Sequence, residues 1–549
     1  MGVKSMVDHE QAAWTGRPCR PVVGSRGVVA TAHPLATLAG VEVLRAGGNA
    51  VDAAIAAAGV ACVVLPQMCG PGGDAFLLTY EAERGRVTAI SGSGPAPRAA
   101  SPEVYRQRGY HTMPREGILS VSVPGAVDAW VRALALAGTR PLAELLEPAI
   151  SYAEEGFVVT PSLAADIWSQ RVKLQADPVA REVFLPGGEP PRAGEVLRQP
   201  DLGQSLRRLA RDPADLYRGE LARRLLACSQ AGGGLFAPED LASYASEVGD
   251  PLATTYRGMT VFQTTFPSQG FILLEGLNIL EGFDLGVPDT ATAVHLMVEA
   301  QKLAFEDRLR FAGDPRRVPF PLGRLLSKEY AARRRREIDP DRARPGWYPG
   351  ADRSDGDTTY LAVADGRGNA VSLIQSLSLA FGSGVMVPGT GILLNNRAGR
   401  GFTLMEGHPN CLGPGKRTVH TLNCYMVFRG GELWLVGGTP GGDGQPQWNL
   451  QILVGLVDRG FDPATAVEFP RWTSYPGTDP AHWGEPEELR VEARMPADVV
   501  AELERRGHPV RLVGPWAGGG AVQLVLRDPT TGVLTGVSDP RAEGVALAL

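Results

Sequence analysis

Polar and hydrophobic positions sort with period two over residues 359–364, TYLAVA. Tyr360, Ala362 and Ala364 fall on one face of a predicted strand and Leu361 and Val363 on the other. Asp365-Gly366-Arg367-Gly368-Asn369 supplies turn chemistry, and Ala370–Ile374 returns as a second strand, so residues 358–374 predict a hairpin. Upstream, Gly27–Thr31 predicts a strand, Pro34–Ala46 a helix, and VDAAIAAAGVACVVL, entered from Asn49 or Ala50, a small-residue helix suited to close packing on a sheet. A glycine loop at residues 66–74 leads into a strand at Ala75–Tyr80, and residues 87–94 predict another. Helical spacing follows in 126–138, 141–156 and 162–180, with a short helix expected near 96–109. Residues 200–335 read as mostly helical, interrupted by strand-like MTVFQTT at 259–265. Downstream, 391–402 reads as strand and turn, 421–438 as a hairpin, 448–460 and 497–507 as helices, and 521–541 as a third hairpin. Helices gather early and strands late, which predicts an α+β fold with helices covering sheets. No linker or internal repeat divides the chain. Residues 1–26 are expected to be a loose polar segment, with 27–357 and 358–549 forming one compact unit.

The stretch before the central hairpin, residues 333–357, is polar, rich in Pro and Gly and without hydrophobic period, and is expected to be an exposed mobile connection. A threonine at a strand start is by itself ordinary. A mobile connection that ends abruptly at Thr358, the head of a buried strand, points to an N-terminal-nucleophile hydrolase precursor. In such a precursor the Thr358 hydroxyl attacks the carbonyl of Asp357, and hydrolysis of the ester frees an α-amine. That amine, with an ordinary pKa of about 7.7–8.0, can serve as general base for the same hydroxyl.

Composition narrows the partners. The 549 residues carry 54 Lys and Arg against 60 Asp and Glu, a formal charge of −6, which gives no case for a nucleic-acid or membrane partner. Six scattered cysteines make neither a C-x-x-C pair nor a disulfide framework, and the N-terminus lacks an apolar core of signal-peptide length, so a cytoplasmic location is expected. The glycine loop precedes a strand and does not open a helix, so a dinucleotide cradle is excluded by context. His408, Cys411, His420 and Cys424 have a spacing that zinc could use, but Cys424 lies in an apolar strand pattern, and no metal is expected.

Three stretches in one order carry a resemblance: GGNAVDAAIAAAGVACVVLPQMCGPGGDAFLLTY (47–80), the DTTY, DGRGNAVS, FGSG and GILLNN run (357–396), and PGKRTVHT (414–421) with GGTPGGDGQPQ (437–447). Together they resemble the γ-glutamyltransferase family over nearly the whole chain. The resemblance implies a four-layer αββα sandwich, autocatalytic cleavage of a zymogen into large and small subunits, and catalysis without cofactor. Pairing of two such heterodimers is left open. It also implies that Thr358 is the nucleophile and new N-terminus, that Asp357–Thr358 is the cleaved bond, that Ser376 orients the hydroxyl, and that Gly441 and Gly442 form an oxyanion hole.

The pocket positions depart from the transferase pattern. Where the family has an arginine for the glutamyl α-carboxylate, the register falls at Ser101 and Pro102, with Arg98 and Arg106 nearby. Ser378, Arg397, Arg400 (or Gly401), His420 and Thr421 occupy the remaining substrate-binding positions. Arginine prefers a planar carboxylate and repels an α-ammonium. The pocket therefore suits a small acidic amide without a glutamyl amino group, and the stretch around SLIQSLSLAFGSG is similar to the oxamate amidohydrolase branch of the family. Two alternatives stand beside this expectation: a true γ-glutamyltransferase or glutathione hydrolase, and a non-catalytic binding protein on the same fold.

Overall fold

Alternation in the segment behind Thr358 translates directly into layers. In the computed structural model, which describes residues 19–286, 289–345 and 358–549, Tyr360, Ala362 and Ala364 pack into one apolar cluster and Leu361 and Val363 into another. The strand Thr359–Asp365 lies inside a seven-stranded antiparallel sheet. Its order is Val545–Ala548, Gly27–Thr31, Thr359–Asp365, Ala370–Ser376, Asp74–Glu81, Arg86–Gly92 and Glu247–Gly249. A second seven-stranded sheet runs Val22–Gly24, Leu534–Ser538, Gln523–Arg527, Glu432–Gly438, Cys424–Arg429, Met259–Gln263 and Leu252–Tyr256. Phe76, Tyr360 and Ile374 of the first sheet meet Met426, Phe428 and Val525 of the second in the layer between them.

Helices cover both outer faces, which completes four αββα layers. On the first sheet lie Pro34–Arg45, Ala50–Val64 and Ala126–Ala137, with Leu142–Glu155 packed on Ala50–Val64; on the second lie Phe271–Leu280 and Gly444–Val457, with Thr290–Phe311 packed on both of these. The helix Ala50–Val64 is buried along its whole length. Its alanines allow that close approach, and Gly59 faces Leu146 at a distance that a Cβ would reduce to 2.7 Å. A reciprocal cap starts it: Asn49 accepts from the N–H groups of Val51 and Asp52, and Asp52 Oδ2 accepts the Asn49 N–H at 2.9 Å.

Four expectations change. Within residues 1–26, Val22–Gly24 is an edge strand paired with Leu534–Gly536, while residues 1–18 lie outside the described residues. The helical stretch 200–335 holds three strands, because Leu252–Tyr256 buries Thr254 and Tyr256 instead of an aliphatic row and so shows no apolar period. Of the connection 333–357, the part to residue 345 is tied down: Arg334 is buried against Glu306 and Asp307, and the Arg344 N–H reaches Glu299. The rest, residues 346–357, lies outside the described residues. Finally, the turn expected at 397–401 is a short helix, and a third sheet of Trp472–Tyr475, Glu488–Glu492 and Val510–Val513 appears that no pattern announced.

Asn49→Ala removes the side-chain acceptor of that cap and is expected to lower stability by about 1–2 kcal/mol, read as a lower urea midpoint with unchanged m-value. An unchanged midpoint would show that tertiary contacts alone hold the helix.

Candidate active site

Antiparallel register sets the centre of the site. Thr359 pairs with Gln375, so Thr358 stands across from Ser376, and the Thr358 hydroxyl donates to Ser376 Oγ at 3.0 Å. Thr358 is buried, 1% exposed. Ser376 Oγ also accepts the N–H of Ser378 at 2.7 Å. Ser378 holds φ at +92°, a left-handed conformation that costs a serine about 1–3 kcal/mol, and its carbonyl accepts from Arg400 Nη1 at 3.0 Å. Asp357 lies outside the described residues.

Gly441 and Gly442 have φ of +121° and +53° and precede the helix Gly444–Val457. A Cβ on Gly441 would enter the ring of buried Trp448, and one on Gly442 would meet the Arg400 guanidinium. Among the described residues no acceptor takes either N–H. Gly441 and Thr358 line the same cleft.

A second cleft adjoins them, lined in part by Arg308, Arg397, Arg400, Thr421, Asp443 and Asp479. The short helix Arg397–Gly401 is pinned by the pair before it. Asn395 bonds Gly72 and Ser122, and Asn396 bonds Leu379 and Arg115. Arg397 is fully buried, not the solvated arginine that its sequence setting would suit. Its Nε donates to Asp74 Oδ2 at 3.0 Å, Nη1 lies 3.5 Å from Thr421 Oγ1, and Nη2 is buried with no partner. Burial lowers the Arg397 pKa to about 10, which leaves it charged at neutral pH. Asp74 Oδ2 also bonds His420 Nε2 at 3.0 Å. His420 Nδ1 accepts the Leu422 N–H, which puts the ring proton on Nε2. Burial, then the nearby Arg397 charge, push His420 down to about 3, so the ring is neutral.

The other charges are matched. Arg308 bonds Asp443 at 2.6 Å, and Arg400 lies 3.5 Å from Asp479, which also takes Arg115 at 2.9 Å. Burial alone would raise the Asp443 carboxyl, but Arg308 and Thr478 hold it below the usual carboxylate range.

Thr358, Ser376, Gly441 and Gly442 thus come together, and Arg397, Arg400, Gly401 and Thr421 gather beside them. His420 and Ser378 are fully buried behind the clefts, where His420 holds Asp74 and Ser378 holds Arg400. Arg98 and Arg106 are elsewhere, against Asp240 with Ser243 and against Glu406. Ser101 caps the helix Pro102–Gln107, whose first residue is Pro102. The cysteine–histidine spacing is used otherwise, with Cys424 Sγ directed at the Ser372 carbonyl and His420 committed to Asp74. Sequence reasoning missed Asp74, Asp443, Asp479 and Arg308. The first two sit in the glycine stretches GPGGD and PGGDG, an available signal; Arg308 and Asp479 had none.

The family model described as gamma-glutamyltranspeptidase matches residues 36–549. A glutathione hydrolase-like proenzyme of Bacillus subtilis (strain 168) is 38% identical over 96% of this chain and 100% of its own length. An oxamate amidohydrolase proenzyme of Klebsiella pneumoniae is 36% identical over 95% of this chain and 98% of its own. Among solved structures, cephalosporin acylase from Bacillus halodurans superposes with a TM-score of 0.90 at 39% identity, covering 97% of this chain and 98% of that one.

Asp74→Ala strands a buried guanidinium, and the loss expected is about 3–5 kcal/mol. Thermal unfolding should show it, and a shift below about 1 kcal/mol would mean that Arg397 does not depend on Asp74.

Proposed function

This chain belongs to the gamma-glutamyltranspeptidase family, and from that premise we propose that it is a self-processing amidohydrolase, with Thr358 as nucleophile, that hydrolyses small amides whose acyl group ends in a carboxylate. The observation that carries the substrate choice is Arg397 Nη2, a buried donor without a partner in the cleft whose Arg400 lies against Gly442. Leaving such a group unmet is costly, and a substrate carboxylate satisfies it with a charge-assisted bond.

The chemistry follows from the arrangement. In the precursor the Thr358 hydroxyl attacks the Asp357 carbonyl, the acyl group moves from nitrogen to oxygen, and water hydrolyses the ester. The freed α-amine then takes the Thr358 hydroxyl proton as the oxygen attacks a substrate amide. The N–H groups of Gly441 and Gly442 receive the developing oxyanion, worth about 3 kcal/mol per donor. The protonated amine passes its proton to the leaving nitrogen, and water or an acceptor amine attacks the acyl-enzyme. Ser376, tied to Thr358 at 3.0 Å, fixes the hydroxyl's direction.

The names of the relatives, a cephalosporin acylase, an oxamate amidohydrolase and a glutathione hydrolase-like proenzyme, do not share one acyl group. Cleavage of γ-glutamyl amides is the second reading, supported by the glutathione hydrolase-like relative. It would need an acid for the α-ammonium; of the carboxylates lining the arginine-rich cleft, Asp443 is spent on Arg308 and Thr478, while Asp479 lies within ion-pair distance of Arg115 and Arg400 and keeps its buried Oδ2 without a hydrogen bond.

Two tests follow. Purified protein should split into chains of about 38 and 20 kDa, scaling 58.3 kDa at residue 358, with the smaller beginning TTYLAV, and Thr358→Ala should stay whole. A whole wild-type chain after long incubation refutes the mechanism. Glutaryl-p-nitroanilide and γ-glutamyl-p-nitroanilide differ only by the α-ammonium. The glutaryl compound should have a kcat/KM higher by about tenfold or more, equivalent to about 1.4 kcal/mol; equal or reversed rates would overturn the acyl preference. Ammonia release from oxamate, run alongside, reports how short the acyl group can be.

A further inference from the structure

The turn Pro440-Gly441-Gly442 is held by its carbonyls. A peptide unit is planar, and in the trans form its C=O and N–H point in opposite directions. Neither peptide bond of this turn is cis. Whatever bonds the Pro440 carbonyl therefore aims the Gly441 N–H, and whatever bonds the Gly441 carbonyl aims the Gly442 N–H. The Gly441 carbonyl accepts the Gly444 N–H at 2.9 Å, a bond made where the helix Gly444–Val457 begins. The Pro440 carbonyl has no backbone partner among the described residues. It accepts instead from the Thr439 hydroxyl at 3.0 Å.

That hydroxyl is itself directed. Thr439 follows the strand Glu432–Gly438 and is fully buried, and its Oγ1 accepts the Ala521 N–H at 3.0 Å. A hydroxyl carries one hydrogen, and with the Ala521 N–H on a lone pair that hydrogen is turned to the Pro440 carbonyl. Space is limited as well: Gly520 has φ of +79°, and a Cβ there would stand 2.7 Å from Thr439 Oγ1. Pro440, Gly441, Gly520 and Ala521 line the cleft that also holds Thr358, and Thr439 is not part of that lining. Its hydroxyl meets the turn and not a substrate.

We infer that Thr439 is a positioning residue for the oxyanion donor at Gly441: its hydroxyl, fixed by Ala521, holds the Pro440–Gly441 peptide in the plane that presents the Gly441 N–H to the carbonyl attacked by Thr358. The inference rests on the proposed roles of Thr358 and the glycine pair. The two donors are held differently, Gly442 by the start of a helix and Gly441 by one side chain. Glycine makes that hold necessary. Without a Cβ, Gly441 leaves the preceding peptide free to rotate, and a peptide that turned over would set the Pro440 oxygen against the oxyanion. Acylation and deacylation both pass through an oxyanion, so the hold acts on kcat whichever step limits. The bound substrate, whose carbonyl carries less charge, gains less from it.

The test compares Thr439→Val, which keeps the shape and removes the hydroxyl, with Thr439→Ser, which keeps the hydroxyl. Each is assayed on glutaryl- and γ-glutamyl-p-nitroanilide, with rates divided by the fraction of chains that begin at Thr358, read by intact mass. On the substrate that wild type turns over faster, Thr439→Val should lose about tenfold or more in kcat, short of the roughly 10²–10³ that removal of an oxyanion donor costs. KM should stay within about twofold, and Thr439→Ser within about threefold of wild type in kcat. Thermal unfolding of both variants separates this from a loss of fold, which lowers the active fraction and not kcat per active site. If Thr439→Val does not fold, Thr439→Cys is read in its place, since a thiol fills the space but donates weakly. Wild-type kcat without the hydroxyl, an equal loss in Thr439→Ser, or a change confined to KM overturns the inference, while an inactive Thr358→Ala leaves the proposed function standing. Activity retained by Thr358→Ala would overturn both.

Discussion

Backbone hydrogen bonds on both edges hold the strand Thr359–Asp365, with Gly27–Thr31 on one side and Ala370–Ser376 on the other. An inner strand of a sheet covered on both faces has no freedom to slip, because a one-residue shift would turn Leu361 and Val363 out of one core and Tyr360 out of the other. That constraint places the Thr358 hydroxyl on Ser376 without any contribution from the site itself. It extends outward through the same pairings. Asp74 lies opposite Ser376 on the next strand, and Gly73 comes so close to the Ser376 carbonyl that a side chain there would collide with it. Thr358, the proposed nucleophile, and the acid that holds Arg397 are therefore fixed by one ladder.

Charge is the second organising constraint. Arg397 and Asp74 are both buried, and such a pair returns little net stability because desolvation offsets most of the Coulomb attraction. A hydrophobic pair of similar volume would serve packing as well or better. What the ion pair supplies is direction: Asp74 takes Nε, neutral His420 takes up more of the same carboxylate oxygen, and Nη2 is left over. Arg308 and Arg400 are each matched by an aspartate, so the excess positive character of the cleft is concentrated near one donor and not spread along a wall. The strained backbone of Ser378 belongs to the same device, since its carbonyl anchors Arg400 and its N–H anchors Ser376.

Much of this was legible in the sequence, and the reasons differ by element. The hairpin 359–376 and the alanine-rich helix were readable because each is a continuous run of apolar and small residues that ends on turn or cap chemistry. Thr358, Ser376 and the glycine pair followed from motif order. The edge strands Val22–Gly24, Leu252–Tyr256 and Val545–Ala548 were not readable, because they join their sheets through backbone bonds that need no apolar row. Nor was the burial of Arg397: RAGRG looks like a solvated turn, and its partner Asp74 stands 323 positions away. His420 and Ser378 lie at pocket positions by motif, but only the packing shows that they bond Asp74 and Arg400.

Both sheets contain strands from both sides of Thr358. In the first sheet, Thr359–Asp365 and Ala370–Ser376 are flanked by Gly27–Thr31 and Asp74–Glu81. In the second, the four strands between Cys424 and Ser538 are enclosed by Val22–Gly24 and Met259–Gln263. A cut before Thr358 therefore severs one peptide bond and no ladder. Residues 340–344, near the last described upstream residue, are held as well: the Ala343 N–H bonds the Arg506 carbonyl, Arg506 Nη1 bonds the Pro340 carbonyl, and Lys302 bonds the Arg344 carbonyl. A fold knit in this way can release an α-amine at its most constrained strand without loosening that strand. For the nucleophile proposed at Thr358, which would serve also as its own base, that separation of chain connectivity from structural connectivity is the enabling condition.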